Sequence, residues 1–413
     1  MMDRWIKRIS GIIPHTNKNI DIELDGKNLI VTGMNGTGKT SLVRTIFEKL
    51  NAVVVQKDHS SLSETEEQLL YWENNLHSSQ KGTPQYDDVI RQVNYYQNKM
   101  DAAEKGLQLV IPDSIQFSSL YDDRKAVICF FEERHFSEIA PAATAKGLSE
   151  AEEDARKQTT AQKFGNNLEQ HLVNLANRRQ WAKANDNDME KTKEIDDWFI
   201  HFEQQLKRLF EDESARLKID SNTLKYSIIQ ESKPPYTFQQ LSAGYRAIFD
   251  IYAELLMRTE YFKITPKDLT GVILIDEIDS HLHLSLQRLI LPFFIESFPK
   301  IQFIVTTHSP FVLMSTPDTM VFDLAQNEPI TDDLSRYTYS AVMKGLWNIK
   351  PISASLEKDI REIAEIVNDQ NKDFARLEAL IEKIKNHEAA LDPESKAFFL
   401  RGLEALEERG NNV

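Results

Sequence analysis

The most constraining feature of the sequence is a glycine-rich segment that runs from Gly33 to Thr40 and reads GMNGTGKT. It fits the pattern G-x-x-x-x-G-K-[ST], with a strand-like apolar run before it and a helix-forming run after it. Glycines let the backbone wrap a phosphate group with its N–H groups pointing inward. The helix that follows offers its positive N-terminal end to the same group. The segment therefore predicts a phosphate-binding loop in an α/β fold.

The side chains of this loop predict its ligand. Lys39 should reach the β- and γ-phosphates of a nucleotide, and the hydroxyl of Thr40 should ligate Mg²⁺. The expected cofactors are therefore ATP and Mg²⁺. The nucleotide-binding residues predicted in this segment are Asn35, Gly36, Thr37, Gly38, Lys39, Thr40 and Ser41.

A second motif, Gly271 to Glu277, reads GVILIDE. Its apolar residues predict a buried parallel strand that ends at two carboxylates. Ligands of open α/β sheets bind at the carboxyl ends of the strands. Asp276 is therefore expected to hold Mg²⁺, directly or through water, and Glu277 to act as the general base that positions the attacking water.

Two further motifs accompany these. Residues 241–246 read LSAGYR, and residues 303–310 read FIVTTHSP. The second segment predicts another buried strand, with His308 just beyond its end. A histidine at that position can hydrogen-bond a γ-phosphate and sense its loss, so we predict a catalytic role for His308 beside Glu277 and Lys39.

Along the chain these four motifs occur in the order phosphate-binding loop, LSAGYR, acidic strand and strand with His308. In this order they resemble the motifs of the ATP-binding-cassette ATPases, and most closely those of the soluble branch of SMC-like, RecF-like and OLD-like proteins. The resemblance covers roughly residues 4–50, 107–135 and 236–325. It implies a head-to-tail dimer in which Ser242 and Gly244 of one copy face the γ-phosphate that Lys39 of the other copy holds. The usual LSGGQ or LSGGE is LSAGY here, so Tyr245 replaces a polar residue.

The remaining sequence predicts an ATPase head interrupted by helical arms. Residues 20–24 alternate apolar and polar side chains before Asp25-Gly26, which predicts a hairpin with the strand at 28–32. Residues 324–333 are predicted to form a polar loop. The expected organisation is head at 1–60, helical insertion at 61–106, central head strands at 107–147, helical arm or lid at 148–220, head with the last three motifs at 221–335, and a helical partner-docking region at 336–413.

Composition and net charge limit the partners and the cellular compartment that are expected for this chain. The net charge is −15, so contact with nucleic acid would need a local basic patch or a partner. The one cysteine, Cys129, cannot form an internal disulfide, which favours a reducing cytoplasm. No apolar run approaches the ~20 residues that span a bilayer, so no membrane role is expected. Asp279, His281 and His283 could form a metal site with Asp276, although a dimer-interface or core role is favoured for the histidines.

The helical tail lacks the βαβ pattern of clustered acidic residues that a Toprim nuclease would have. An ATPase with helical inserts and such a tail resembles the PtuA family of Septu and retron anti-phage systems, which implies a separate HNH nuclease as partner. Two alternatives stay open at this point. One is an SMC-like or RecF-like repair ATPase that clamps DNA itself, and the other is a nucleotide-sensing scaffold with little turnover.

Overall fold

The structure is a computed structural model of the chain, and it describes residues 4–58, 62–132, 139–142, 163–220, 222–347, 352–369, 373–388 and 391–411. The chain divides into two compact units, Met1–Arg336 and Tyr337–Val413. The predicted α/β class is confirmed for the first unit, and the second is helical. Among the described helices, none combines the length and the hydropathy that a membrane crossing requires.

A six-stranded sheet forms the centre of the first unit. Its strands, in spatial order, are β12 (Glu328–Ile330), β11 (Thr319–Asp323), β3 (Asn28–Thr32), β10 (Ile301–Thr306), β9 (Thr270–Ile275) and β5 (Ala126–Phe131). All neighbours are parallel except the β11–β12 pair. Strands β3 and β10 are buried along their whole length, as expected for strands covered on both faces.

Two smaller antiparallel sheets accompany the central one. The first consists of β2 (Asn19–Glu23), β1 (Arg8–Ile12) and β4 (Gln108–Val110), and the second of β6 (Arg216–Ile219), β7 (Tyr226–Gln230) and β8 (Lys233–Tyr236). Ile9, Ile20 and Ile22 extend the core of the central sheet through the first of these sheets.

The helices of the first unit occur in three groups. The loop and first insertion contribute α1 (Lys39–Leu50), α2 (Leu62–Ser78), α3 (Pro84–Lys105) and α4 (Ser114–Asp122). The arm contributes α5 (Leu168–Ala184) and α6 (Met189–Phe210), and the last part of the head contributes α7 (Ala243–Phe262), α8 (Leu284–Ser297) and α9 (Pro310–Leu313). Helices α2 and α3 pack against each other, as do α5 and α6.

The second unit contains α10 (Tyr339–Trp347), α11 (Ala354–Asn368), α12 (Phe374–Lys385) and α13 (Pro393–Asn411). The apolar stripe of its sequence becomes a core that includes Ile363, Leu377 and Phe399. Asp392 caps α13 as the sequence predicts, since its Oδ1 accepts the backbone N–H of Glu394 at 3.1 Å.

Three sequence-based expectations require correction. The predicted hairpin across Asp25-Gly26 is wrong, because β2 pairs with β1 while β3 lies in the central sheet. The arm predicted at 148–220 is not helical to its end, because Arg216–Ile219 forms a strand; residues 148–162 lie outside the described part of the chain. The predicted loop at 324–333 contains Glu328–Ile330, which pairs with β11.

Candidate nucleotide-binding site

The sheet order brings three of the four motifs together. Strand β10 lies between β3 and β9, with both neighbours parallel to it. The glycine-rich loop follows β3, the acidic pair follows β9 and His308 follows β10. Three adjacent carboxyl ends therefore place these residues along one edge of the sheet, where open α/β folds bind their ligands.

The glycine-rich loop has a backbone that other residues would not adopt easily. Gly33, Gly36 and Gly38 have φ values of 139°, 76° and 102°. A Cβ atom on Gly38 would also lie 2.8 Å from Cγ2 of Thr16, closer than packed atoms allow. The loop is tied internally by the Thr37 hydroxyl, which donates to the Met34 carbonyl at 2.9 Å. These features give the open curve that a phosphate cradle needs.

Lys39 begins α1 and turns its side chain back over the loop. Its Nζ donates to the carbonyl oxygens of Gly33 at 3.0 Å and Met34 at 3.2 Å. Burial lowers the pKa of Lys39, and the carboxylates near it act in the opposite direction. Those carboxylates belong to Glu277, Asp276, Asp279 and Asp323. The ammonium thus lies within the field of the acidic residues that follow β9 and of the one that ends β11.

Asp276 and Glu277 are both fixed by one hydroxyl group. The Thr306 Oγ1 donates to Asp276 Oδ1 at 2.6 Å and accepts the backbone N–H of Glu277 at 2.7 Å. Glu277 adopts a left-handed backbone with φ 49°, which costs a non-glycine residue about 1–3 kcal/mol. The hydrogen bond from its N–H helps to hold this conformation, which turns the chain directly at the acidic pair.

His308 is oriented by Asp279. The Asp279 Oδ1 accepts the Thr307 hydroxyl, and it accepts the backbone N–H of His308 at 3.3 Å. The imidazole Nε2 of His308 is buried and has no hydrogen-bond partner among the described residues. Burial and the nearby Lys39 ammonium lower the pKa of His308, which favours the neutral ring. A buried polar atom without a partner indicates a ligand that is needed to complete the site.

The donors expected for magnesium fit that ion. Thr40 is exposed at the start of α1, and Asp276 Oδ2 accepts no hydrogen bond from the described residues. A hydroxyl and a carboxylate oxygen, with phosphate oxygens, are ligands that Mg²⁺ prefers. The described residues contain no group of three or more metal-binding side chains, so the alternative metal site at Asp279, His281 and His283 has no support. Ser41, which was predicted to bind the nucleotide, donates its hydroxyl to the Pro14 carbonyl at 2.8 Å. Its side chain is therefore engaged within the protein, and its contact with a phosphate would come from the backbone N–H.

The fourth motif begins helix α7. Ser242 is exposed, whereas Gly244 is buried against the loop after the acidic pair. A Cβ atom on Gly244 would lie 3.0 Å from the carbonyl oxygen of His281, which explains the glycine by close approach. The unusual Tyr245 packs on Phe210 at the end of the arm, with ring centroids 4.8 Å apart. The motif at 241–246, called the signature motif below, therefore contacts the arm through this pair of rings.

Sequence reasoning missed Thr306 and Asp323 and gave Asp279 a different role, as a possible metal ligand. Thr306 stood inside a recognised motif, but only the hydrogen bonds across the strands reveal what Thr306 and Asp279 position. Asp323 ends β11 and is 2% exposed, with its Oδ1 accepting the N–H of Ala325 at 2.7 Å. The signal that could have identified Asp323 is a carboxylate that follows the apolar run at 320–322, the same pattern that identified Asp276.

The strand order, the glycine-rich loop and the acidic strand end define a P-loop ATPase. The chain belongs to the family described as "AAA domain, putative AbiEii toxin, Type IV TA system", whose sequence profile matches residues 29–315. The matched region contains all four motifs.

Two curated relatives are similar over shorter stretches. The chain is 40% identical over 99 residues to "Retron Ec83 probable ATPase" of Escherichia coli, and this covers 23% of the chain and 16% of that protein. It is 39% identical over 94 residues to "Septu protein PtuA" of Bacillus mycoides (strain KBAB4), covering 22% of the chain and 13% of that protein. The matched stretches are thus small parts of these relatives.

Among solved structures, the Smc head bound to the C-winged helix domain of ScpA aligns with 80% of this chain and 99% of that one. The sequence identity is 14% and the TM-score is 0.37. Because this TM-score is low, the assignment to the ATPase family rests on the sequence-profile match and on the arrangement of the sheet.

Proposed function

We propose that the chain binds ATP with Mg²⁺ at Gly33–Thr40 and hydrolyses it within a head-to-tail assembly of at least two copies. The observation that carries this proposal is the convergence of Lys39, the Asp276–Glu277 pair and His308 at the carboxyl ends of three adjacent parallel strands. Each has the chemistry that phosphoryl transfer requires, in which catalysis is mainly positioning and charge stabilisation.

Lys39 is the main determinant of nucleotide binding. In the structure its ammonium donates to carbonyl groups of its own loop. A γ-phosphate would offer it charge-assisted hydrogen bonds, which are roughly twice as strong as neutral ones. The loop amides and the N-terminus of α1 add further positive potential around the phosphates.

Glu277 is positioned to act on the attacking water. Its left-handed backbone and the hydrogen bond to Thr306 orient it at the end of β9. The neutral imidazole of His308 would donate from Nε2 to the γ-phosphate and register its departure. Thr40 and Asp276 would hold Mg²⁺, which supplies charge neutralisation on the β- and γ-phosphate oxygens when it is bound.

Exposure of two surfaces supports assembly. The loop tip at Met34, Asn35 and Gly36 is open to solvent, and so is Ser242 at the start of α7. A nucleotide on this loop would keep one face uncovered by its own chain. Ser242 and Gly244 of a second copy would cover that face, so that nucleotide binding and assembly become one event.

In the cell, we infer an ATPase subunit of a cytoplasmic anti-phage defence complex that regulates a separate HNH-type nuclease. The support is the presence of relatives named as a Septu protein and as a retron ATPase. The acidic helical unit Tyr337–Val413 would provide the docking surface, and nucleic acid would be reached through the complex. Copurification of the full chain with the separately encoded nuclease tests this step. Separate elution of the two proteins, with and without ATP, would count against it.

The direct test of the site is nucleotide affinity. Lys39→Ala should remove measurable ATP binding, whereas Lys49→Ala, in the last turn of the same helix, should leave the affinity unchanged. Calorimetric titration with a non-hydrolysable ATP analogue and Mg²⁺ measures both. Equal affinity for the two variants would overturn the assignment of the loop.

A further inference from the structure

A cavity of about 340 Å³ lies away from the nucleotide site, between the arm helix α6, the signature helix α7 and the end of α8. Aromatic side chains form much of its wall. The rings of Trp198 and Phe202 stack with centroids 5.4 Å apart, and Phe202 and Phe298 lie 6.2 Å and 6.1 Å from Tyr252. Phe202, Tyr252 and Phe298 are nearly inaccessible, so the cavity has a rigid apolar floor.

The charged residues around this floor are mostly acidic. They are Glu194, Asp197, Glu260 and Glu296, against the single cation Lys267. Glu194 and Glu296 have partners outside the cavity, since each forms an ion pair at 2.7 Å with Lys191 and Arg208 respectively. Asp197 has no ion-pair partner among the described residues. Among the described residues, Asp197 therefore remains without an ion-pair partner, and Glu260 has one, the imidazole of His171.

Glu260 is built firmly into the wall. Its Oε1 accepts the indole N–H of Trp198 at 2.8 Å. Its Oε2 lies 3.3 Å from Nε2 of His171, outside hydrogen-bond geometry, and that buried nitrogen has no hydrogen-bond partner among the described residues. Glu260 and Trp198 also line an adjoining cavity of about 570 Å³, which His171 borders. The Glu260 side chain is only 22% exposed, so its charge is poorly solvated and a cation beside it would be stabilised.

We propose that this cavity binds a small organic cation, in which an ammonium or guanidinium group on an apolar stem pairs with Glu260. A carboxylate fixed against aromatic faces is the arrangement that attracts such cations, through both charge and the ring quadrupoles. The volume is in the range of small-ligand pockets. An occupant would touch the arm through α6 and the signature helix through α7, which makes the site independent of the nucleotide pocket but adjacent to a helix of the ATPase head.

The test compares two probes of the same shape, 4-phenylbutylamine and 4-phenylbutanol, by calorimetric titration of the full chain without nucleotide. The amine should bind saturably at one site per chain, and the alcohol at least about tenfold more weakly, equivalent to about 1.4 kcal/mol. Equal affinities, or no saturation by the amine, would overturn the proposal. Binding of an arginine-containing peptide but not of the amine would also overturn it, because the cavity would then serve a partner protein.

Substitutions of the carboxylates test which side chain binds the amine. Glu260→Gln keeps the size and the acceptor for Trp198, and should weaken the amine at least about tenfold while leaving the alcohol unchanged. Asp197→Asn, on an exposed residue, should weaken it by a smaller factor and decides the matter if Glu260→Gln does not fold. Glu213→Gln is the control, since that side chain is 97% exposed and outside the cavity. Amine affinity that is the same in the Asn variant, the folded Gln variant and the control contradicts the proposal.

Discussion

Thr306 and Asp276 are joined across the β10–β9 pair by a hydrogen bond of 2.6 Å, in which the hydroxyl donates to the carboxylate. The same hydroxyl accepts the backbone N–H of Glu277, so one side chain fixes both acidic residues. Thr306 is fully buried, so its hydroxyl is shielded from solvent. The end of β10 therefore sets the geometry at the end of β9.

Replacing this hydroxyl should reduce both stability and activity. Thr306→Val keeps the shape but leaves a partly buried N–H and a buried carboxylate oxygen without their partner, which should lower the free energy of unfolding by about 1–3 kcal/mol. Thr306→Ser retains the hydroxyl and is the matched control. Denaturant unfolding and ATP turnover measure the two effects. Turnover by the Val variant equal to that of the Ser variant would show that the bond does not position the acidic pair.

The lowered pKa of His308 predicts a pH dependence of stability. In the folded chain the neutral ring is favoured, so the unfolded chain binds the extra proton first as the pH falls. The contribution of His308 to the free energy of unfolding should therefore be fully present above the unfolded pKa of about 6.5, and it should decline as the pH drops below that value. Thermal unfolding of the nucleotide-free protein at about pH 7.5 and about pH 5.5 measures this decline, which should be smaller in His308→Asn. An identical decline in both proteins would contradict the prediction.

The contact between Phe210 and Tyr245 predicts that the arm supports the signature helix. Phe210 is 7% exposed and also packs on Phe249, so Phe210→Ala should lower the free energy of unfolding by about 3–5 kcal/mol. It should also lower ATP turnover, because the start of α7 loses its neighbour. Tyr245→Phe retains the ring contact and should behave as wild type. A turnover rate in Phe210→Ala that matches wild type would separate the arm from the signature motif.

The sequence was sufficient where one local pattern carries the structure. The glycine-rich loop, the buried strand before Asp276 and the cap at Asp392 each depend on residues within a few positions of one another. The wrong hairpin at Asp25-Gly26 marks the limit of such patterns. A turn signal predicts that the chain reverses, but it does not predict which strands will pair. The apolar run at 28–32 pairs with β10 and β11 inside the parallel sheet, where it is buried on both faces.

Residues that act across the sheet could not be identified locally. Thr306 reads as the end of an apolar strand, and its role depends on β9 lying next to β10. Asp323 directly precedes the predicted loop at 324–333, yet it lies beside Thr32 in the register of β11 with β3 and contributes to the field at Lys39. Both depend on strand order, which is set by packing over the whole sheet.

The central claim is that nucleotide binding and assembly are one event. The most direct measurement is the sedimentation mass of Glu277→Gln with and without ATP and Mg²⁺. This variant should bind ATP but hydrolyse it at least about a hundredfold more slowly, because the general base is lost. Its mass should rise from that of a single chain, 47.6 kDa, to at least twice that value when ATP is added, and Lys39→Ala in the same background should abolish the rise. A mass that stays at one chain under saturating ATP would contradict the account.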